Sequence, residues 1–106
     1  MADMQRFDVW LVQLDPAQGS EIKKTPPCVI ISPDEMSPLK TVIVAPMTPQ
    51  GFPFPTRIAC AFQGKDGFVV LDQIRTVDKT RLVRKLGAIA ENTRPAIIHC
   101  LHEMFS

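Results

Sequence analysis

Tyrosine is absent from this sequence of 106 residues, and tryptophan occurs only once, as Trp10. Domains that bind proline-rich peptides use grooves lined by several exposed aromatic side chains. Trp10 stands inside the apolar stretch FDVWLVQL, which is predicted to be a strand. The sequence therefore gives little support to a peptide-binding module of this kind.

An excess of charge of one sign and a long apolar run are also lacking. Twelve Lys and Arg residues face eleven Asp and Glu residues, so the net charge is +1 and any basic surface must be local. No apolar run approaches membrane length, and the first ten residues contain no apolar core typical of a secretory signal. These absences predict a cytoplasmic protein.

Cysteine is sparse, with Cys28, Cys60 and Cys100 far apart and each inside an apolar run. This spacing predicts reduced core residues and no disulfide framework. A zinc site that joins them to His99 and His102 is the alternative, but no Cys-x-x-Cys pair favours it. The motifs of nucleotide-binding loops, metalloproteases and serine hydrolases are also absent, and we expect neither a metal nor a cofactor.

Short runs rich in β-branched residues dominate the first 90 residues, where eight of the ten prolines lie between positions 26 and 55 and disfavour helix. A turn is expected over Gly64–Gly67, between the fourth and fifth strands. Five strands and a short sixth are predicted over residues 7–14, 28–32, 41–47, 56–62, 67–78 and 85–89.

The C-terminal segment ENTRPAIIHCLHEMFS is typical of a helix. Asn92 or Thr93 can cap it, and Pro95 suits its first turn. Apolar residues then recur on one side, at Ile97, Ile98, Leu101, Met104 and Phe105. Residues 1–106 are therefore predicted to form a single, mainly β domain: a small, open, strongly curved barrel with the C-terminal helix packed on it.

Two polar features stand at predicted strand ends or loops, where a barrel can hold them in place. The segment GSEIKK can offer backbone N–H groups, a hydroxyl and two cations to a phosphate chain, through Gly19, Ser20, Glu21, Lys23 and Lys24. Thr48 follows the strand VIVAPM, and its hydroxyl can donate a hydrogen bond to a phosphoryl oxygen. Each feature is also compatible with an ordinary solvated loop.

A local concentration of cations lies in residues 71–85, where Arg75, Lys79, Arg81, Arg84 and Lys85 face only Asp72 and Asp78. Such a segment can attract an anionic strand, or it can be an ion-paired surface. Phe52 and Phe54, in the loop GFPFPTR, can stack on exposed bases or fill the core. No single one of these features decides the function.

In their order along nearly the whole chain, the segments resemble the MazF/PemK family of bacterial toxin–antitoxin ribonucleases. The resemblance rests on DVWLVQLDPAQGSE, PCVIISPDEM, TVIVAPMT, VVLDQIRTVDKTRL and KLG. It implies an SH3-like barrel with a C-terminal helix, assembled as a homodimer. It also implies sequence-specific, metal-independent cleavage of single-stranded RNA, chiefly messenger RNA, and inhibition by a MazE-like antitoxin whose disordered tail folds across the substrate groove.

The same resemblance implies the site. Thr48 matches the family's catalytic threonine, Ser20 and Glu21 match its substrate loop, and Gln73 and Arg75 match its second polar block. The catalytic arginine of the family stands immediately before the proline that opens the second strand. At that position this chain has Pro26, in KTPPC. Proline offers neither a cation nor an N–H donor, so we expect an inactive or impaired ribonuclease.

Two further observations complete the comparison with this family. Phe7 stands where many members have glycine, and it is expected to pack. The alternative function is that of a CcdB-like toxin, which inhibits gyrase by protein–protein contact through an aromatic C-terminal tail. This chain ends in Met104-Phe105-Ser106, and the GSE and DQIRTVD segments favour the ribonuclease.

Overall fold

The computed structural model describes residues 4–14 and 25–106 of the chain. Within these two ranges, seven strands precede one α-helix, α1 (Arg94–Met104), and four short 3-10 turns lie at Asp34–Met36, Leu71–Gln73, Lys79–Arg81 and Glu91–Thr93. The strands are β1 (Asp8–Val12), β2 (Pro27–Ile30), β3 (Thr41–Thr48), β4 (Arg57–Phe62), β5 (Lys65–Val70), β6 (Arg75–Asp78) and β7 (Leu82–Ala88).

The strands form one antiparallel sheet in the order β4-β5-β3-β2-β1-β7, with β6 also paired to β3. Strand β3 therefore has β2 along one edge, with β6 and then β5 along the other. No ladder in the described residues joins β4 to β7, so the barrel is open. Its two ends nevertheless approach each other, because the side-chain amide of Gln63 donates a 3.2 Å hydrogen bond to the carbonyl of Leu86. We call this approach of the β4–β5 turn to β7 the seam.

Two apolar clusters form the core. The larger one packs under α1 and is built around Val9, Val29, Val69, Leu71 and Ile97, all of which are completely buried. The smaller cluster is built around Val12, Cys28, Ile30 and Val44. Since Val29 and its neighbours Cys28 and Ile30 belong to different clusters, the two clusters lie on opposite faces of β2.

The predicted fold class is confirmed, while several boundaries differ. The predicted strand over 67–78 is wrong as a single element, because the 3-10 turn Leu71–Gln73 divides it into β5 and β6. The expected turn over Gly64–Gly67 is tighter than predicted. Phe62 pairs with Lys65, and the two turn residues Gln63 and Gly64 have φ angles of 52° and 77°. This geometry is that of a two-residue type I′ hairpin turn, which lets β5 begin at Lys65.

The C-terminal helix begins near the predicted position, with Pro95 in its first turn as expected. The capping prediction is wrong in detail: Thr93 occupies the N-cap position but makes no side-chain cap hydrogen bond, because the 3-10 turn Glu91–Thr93 leads directly into α1. Ile97 and Cys100 are buried. The predicted packing of Phe105 is wrong, since this residue follows the last helical turn and is 70% exposed.

Phe7 has an unusual backbone, with a φ angle of 74°. Its N–H donates to the carbonyl of Ile30 (2.7 Å), and its carbonyl accepts from the N–H of Ile89 (2.8 Å). The ring packs against the larger cluster and lies between two guanidinium groups, with its centroid 5.4 Å from Arg6 and 5.2 Å from Arg94. The expectation that Phe7 packs is confirmed, at a left-handed position that favours glycine.

Candidate active site

The strand registers bring three of the predicted site positions to one face of the sheet. Val44 pairs with Arg75 on β6 and with Ile30 on β2, and Cys28 pairs with Pro46. Directly opposed residues share a face, and every second residue along a strand returns to it. Continuing the β2–β3 register by two residues sets Pro26 opposite Thr48. Positions 26, 48 and 75 therefore share the face of the smaller cluster.

Thr48 is the last residue of β3, close to the beginning of β2, and it pairs with Phe68 of β5. Its hydroxyl oxygen accepts a 3.2 Å hydrogen bond from the backbone N–H of Gln50. This bond fixes the side chain on the turn that leaves the strand, as threonine commonly does in turns. Because the bond uses a lone pair of the oxygen, the hydroxyl hydrogen can still be donated to a bound anion.

Gly67 on β5 explains how the chain can turn so closely behind Thr48. A Cβ added at position 67 would lie 2.5 Å from the carbonyl oxygen of Thr48 and 3.3 Å from the Cα of Pro49. Such a contact with backbone atoms is too short for any side chain. The glycine therefore permits the close approach that sets the position of Thr48.

Pro26 is buried directly before β2. Its carbonyl accepts the backbone N–H of Val12 at 3.2 Å and lies 3.7 Å from the thiol of Cys28. The antiparallel contact with β1 thus uses only the carbonyl of Pro26, a group that proline retains. Proline is therefore compatible with this position, because no backbone N–H donor is needed there.

Arg75 opens β6 on the opposite edge of β3 and is half-buried. Its charge acts on the buried thiol of Cys28, on the same face of the sheet. Burial raises the pKa of this thiol to about 12, and the positive charge of Arg75 opposes part of that rise. Gln73 lies in the 3-10 turn that precedes β6, so that turn sets both predicted residues next to β3.

The remaining predicted site residues lie outside the described residues. They are the members of the loop segment Gly19, Ser20, Glu21, Lys23 and Lys24. Their placement against Thr48 and Arg75 stays a prediction from the sequence.

The cationic segment 71–85 is partly engaged in structural contacts. Lys79 donates to the carbonyl of Ser37, and Arg81 donates to the carbonyl of Gln13 at 3.1 Å. The ammonium group of Lys85 lies 3.5 Å from the carboxylate of the buried Asp8. The ion-paired alternative therefore describes Lys85, while Lys79 and Arg81 are held by backbone carbonyls and keep their charge.

The loop after β3 presents its aromatic residues to solvent. Phe52 is 66% exposed and Phe54 is 55% exposed, so the structure excludes the alternative that they fill the core. Behind the loop, Arg57 and Thr56 both bond to the carboxylate of Asp72, with Nη2 of Arg57 3.3 Å from Oδ2 and the Thr56 hydroxyl 2.9 Å from Oδ1. Burial raises the pKa of Asp72, but these hydrogen bonds outweigh it and lower the pKa below its usual value.

A cavity of about 320 Å³ opens beside Thr48, at the seam, and sequence reasoning missed it. The cavity is bounded by Pro27 and by the last residues of β3, by the β4–β5 hairpin and by Leu86 of β7. Its walls contain the aromatic rings of Phe62 and Phe68, with Gln63, Lys65 and Asp66 among its polar residues. The sequence signal was the tight hairpin, which folds residues far from Thr48 in the sequence back onto it.

Residues 4–14 and 25–106 contain no group of three or more His, Cys, Asp or Glu side chains that could hold a metal ion. No helix in that part of the chain has the length and apolar character needed to cross a bilayer. Cys28, Cys60 and Cys100 are free thiols. Cys28 and Cys100 are buried, as predicted for core residues, whereas Cys60 is only half-buried.

The fold and this face define a class: a small, open β-barrel with a C-terminal helix and a hydroxyl and a guanidinium on one face of its sheet. Residues 5–105 match the family described as PemK-like, MazF-like toxin of type II toxin-antitoxin system. The chain belongs to this family.

Two relatives agree with that assignment, and a solved structure shares the fold. The chain is 40% identical to Endoribonuclease MazF of Staphylococcus epidermidis, over 84% of this chain and 80% of the relative. It is also 40% identical to Endoribonuclease MazF of Staphylococcus saprophyticus, over 83% and 79%. A mycobacterial endoribonuclease in complex with its cognate antitoxin has the same fold, with a TM-score of 0.79 and 23% identity over 96% of this chain and 94% of that one.

Proposed function

We propose that this chain is the toxin of a type II toxin–antitoxin system, built to cleave single-stranded RNA and impaired by proline at position 26. The observation that carries the proposal is the register that sets position 26 opposite Thr48, with Arg75 on the same face. The 40% identity to two proteins named Endoribonuclease MazF supports the reaction class.

The proposed reaction uses the 2′-hydroxyl of the ribose as nucleophile. It attacks the adjacent phosphorus, the bond to the 5′ oxygen breaks, and the products are a 2′,3′-cyclic phosphate and a 5′-hydroxyl. Such a reaction needs a group that takes the 2′ proton, a group that protonates the leaving oxygen, and fixed positive charge for the phosphorane. No metal is needed in this scheme, because side chains supply each of these roles.

Thr48 is proposed to donate its hydroxyl hydrogen to a phosphoryl oxygen, since its oxygen is already held by Gln50. Arg75 supplies positive charge on the same face, and Gln73 contacts the substrate. Glu21 is the proposed proton-transfer group, and Gly19, Ser20, Lys23 and Lys24 the proposed RNA-binding residues of the loop before β2.

We attribute the loss of activity to the proline at position 26. The resemblance implies an arginine there, and an arginine would carry its guanidinium to the same end of the sheet face as Thr48. Proline supplies no charge, and the neighbouring lysines do not reproduce the planar, five-donor fork of arginine. Removal of one preorganised donor from a transition state costs about 10²- to 10³-fold in rate, which sets the size of the expected defect.

The proposed partners follow from the family. They are single-stranded RNA, chiefly messenger RNA in the cytoplasm, a MazE-like antitoxin and a second copy of the chain. One structural relative is an endoribonuclease in complex with its cognate antitoxin, and another is a MazE-MazF complex from Deinococcus radiodurans. An antitoxin that covers the face of Thr48 and Arg75 would exclude RNA from it.

The experiment compares the chain with its Pro26→Arg variant on a long single-stranded RNA in excess EDTA. We expect the variant to cut at one recurring short sequence and to leave 5′-hydroxyl ends, as mapped by ligation with and without prior phosphorylation. Cleavage that needs added metal, or products with 5′-phosphate ends, would contradict the proposed chemistry. Binding to gyrase without any cleavage would favour the CcdB-like alternative.

A further inference from the structure

The cavity at the seam has the form of a ligand site and shares a residue with the proposed active site. Thr48 lies at the end of β3 and forms part of its wall. A phosphate bound to the Thr48 hydroxyl would hold the neighbouring nucleotide at the mouth of this cavity. The cavity measures about 320 Å³, within the range of about 300–1,000 Å³ that is typical of small-molecule sites.

The walls of this cavity suit a flat aromatic ligand. Phe62 and Phe68 are half-buried, Met47 is buried, and Cys60 and Leu86 complete the apolar surface. Proteins that recognise single-stranded RNA take unstacked bases against aromatic side chains and bind their edges with hydrogen bonds. A cavity with these walls, beside a phosphate-binding hydroxyl, meets both requirements.

The polar rim offers mainly hydrogen-bond acceptors. One N–H of the Gln63 amide donates to the carbonyl of Leu86, its amide oxygen can accept, and the ionised carboxylate of Asp66 can only accept. The field of Asp66 reaches into the cavity, since burial and then Asp66 raise the pKa of the Cys60 thiol. Lys65, next to Asp66, can bind a phosphate of the RNA backbone.

We propose that this seam cavity, lined by Phe62, Phe68, Gln63 and Asp66, binds one unstacked base of the RNA next to the phosphate held by Thr48. The Asp66 carboxylate at its rim favours a base with an exocyclic amino group, which is adenine, cytosine or guanine, over uracil, whose single N–H donor lies between two carbonyl oxygens that the carboxylate repels. The β4–β5 hairpin then sets part of the sequence specificity. This inference rests on the proposed function, because it assumes that RNA is bound at Thr48.

The thiol of Cys60 provides a direct probe, used on the chain as it stands, with Pro26 in place. The tryptic peptide of residues 58–65 contains Cys60 alone, so its alkylation by iodoacetamide can be followed by mass spectrometry. The RNA probes are decauridylates that carry a single central A, C or G, compared with the all-uridine strand. Binding of each strand is measured separately by fluorescence anisotropy.

We expect at least one amino-bearing base to slow alkylation of Cys60 fivefold or more beyond the all-uridine strand. Alkylation of Cys100, whose thiol lies 3.4 Å from the carbonyl of Pro55, should not change. RNA that binds without protecting Cys60 would overturn the base site and leave the proposed function standing. RNA that does not bind at all would overturn both. If alkylation of Cys60 slowed as the protein concentration rose, without RNA, the cavity would be assigned to a second copy of the chain and the base site would be overturned.

A filled cavity gives the second test. Cys60→Phe places a ring in the cavity, and Ala96→Phe adds the same ring at an exposed position of α1, outside the cavity lining. In the Pro26→Arg background, Cys60→Phe should reduce the preference for the favoured base tenfold or more, whereas Ala96→Phe should keep it. Equal preferences in the two variants would contradict the proposal.

Discussion

Pro26 and Phe7 are two positions at which the sequence differs from what the family resemblance led us to expect, and the structure accommodates them differently. Pro26 stands directly before β2, and its carbonyl accepts a hydrogen bond from the backbone N–H of Val12. This contact needs no N–H donor from residue 26, which is the group that proline lacks. Phe7 adopts a φ angle of 74°, which costs about 1–2 kcal/mol for a residue with a side chain.

The difference separates function from stability. At position 26 the backbone is not strained, and the proposed loss is that of a positively charged side chain. At position 7 the backbone is strained, and the ring offsets this through its packing and its contacts with Arg6 and Arg94, each cation–π contact contributing about 0.5–1 kcal/mol. Changes at position 26 should therefore affect catalysis, and changes at position 7 should affect only the free energy of unfolding.

The largest effect after position 26 itself is expected at Thr48. In the Pro26→Arg background, Thr48→Val keeps the shape of the side chain and removes the hydroxyl. The cleavage rate should fall about 10²- to 10³-fold, as for other single donors to a transition state. Single-turnover cleavage measures this. An unchanged rate, with the urea midpoint also unchanged, would remove Thr48 from the mechanism.

A smaller effect is expected on the other edge of β3. Arg75→Met, made in the chain with Pro26, should weaken RNA binding roughly tenfold, because a charge-assisted hydrogen bond contributes about 1.5–3 kcal/mol. The slope of log affinity against log salt should fall in magnitude by about 0.7, the value for one contact with a single strand. Anisotropy titrations from 50 to 300 mM salt give both quantities. If the variant and the parent chain had the same slope of log affinity against log salt, Arg75 would make no phosphate contact.

At position 7, two substitutions separate backbone strain from loss of the ring. Phe7→Gly and Phe7→Ala both remove the ring, but only glycine adopts a φ angle of 74° without strain. Phe7→Gly should therefore be more stable than Phe7→Ala by about 1 kcal/mol, although glycine normally destabilises a fold. Urea unfolding of the pair tests this. Equal stability, or greater stability of the alanine variant, would contradict the assigned strain.

The smallest effect concerns the ion pair between Arg57 and Asp72. Because the folded state lowers the pKa of Asp72, its contribution to stability is present above the unfolded value near 3.8 and is lost as the pH falls through the folded value. Asp72 is exposed, so the contribution should be below about 1 kcal/mol. Asp72→Asn should lose less stability than the parent between pH 7 and pH 2.5. Equal losses of stability in the variant and the parent would contradict the contribution assigned to Asp72.

The fold could be predicted because the residue pattern of each strand identifies it. Runs such as CVII and TVIVAPM alternate between the two apolar clusters, and prolines end them. The site was predicted only in part. Thr48 and Arg75 were expected from the resemblance, and the register that sets them on one face follows once β2, β3 and β6 are paired.

The seam cavity could not be predicted, because it depends on contacts between residues distant in the sequence. Its formation needs the two-residue turn at Gln63 and Gly64, which brings Phe62 against Gly87, where a Cβ would lie 3.3 Å from the ring. The sequence indicated a turn there but not its length. The positive φ angle of Phe7 was also hidden, since phenylalanine rarely takes that conformation.

The central claim is that an intact scaffold lacks one cation at position 26. The most direct measurement is the single-turnover rate of RNA cleavage, in excess EDTA, for the parent chain, Pro26→Arg and Pro26→Lys. The account predicts that arginine raises the rate about 10²-fold or more, that lysine restores less because it lacks the planar fork, and that the urea midpoint hardly changes. A parent chain that cleaves as fast as Pro26→Arg would contradict the account.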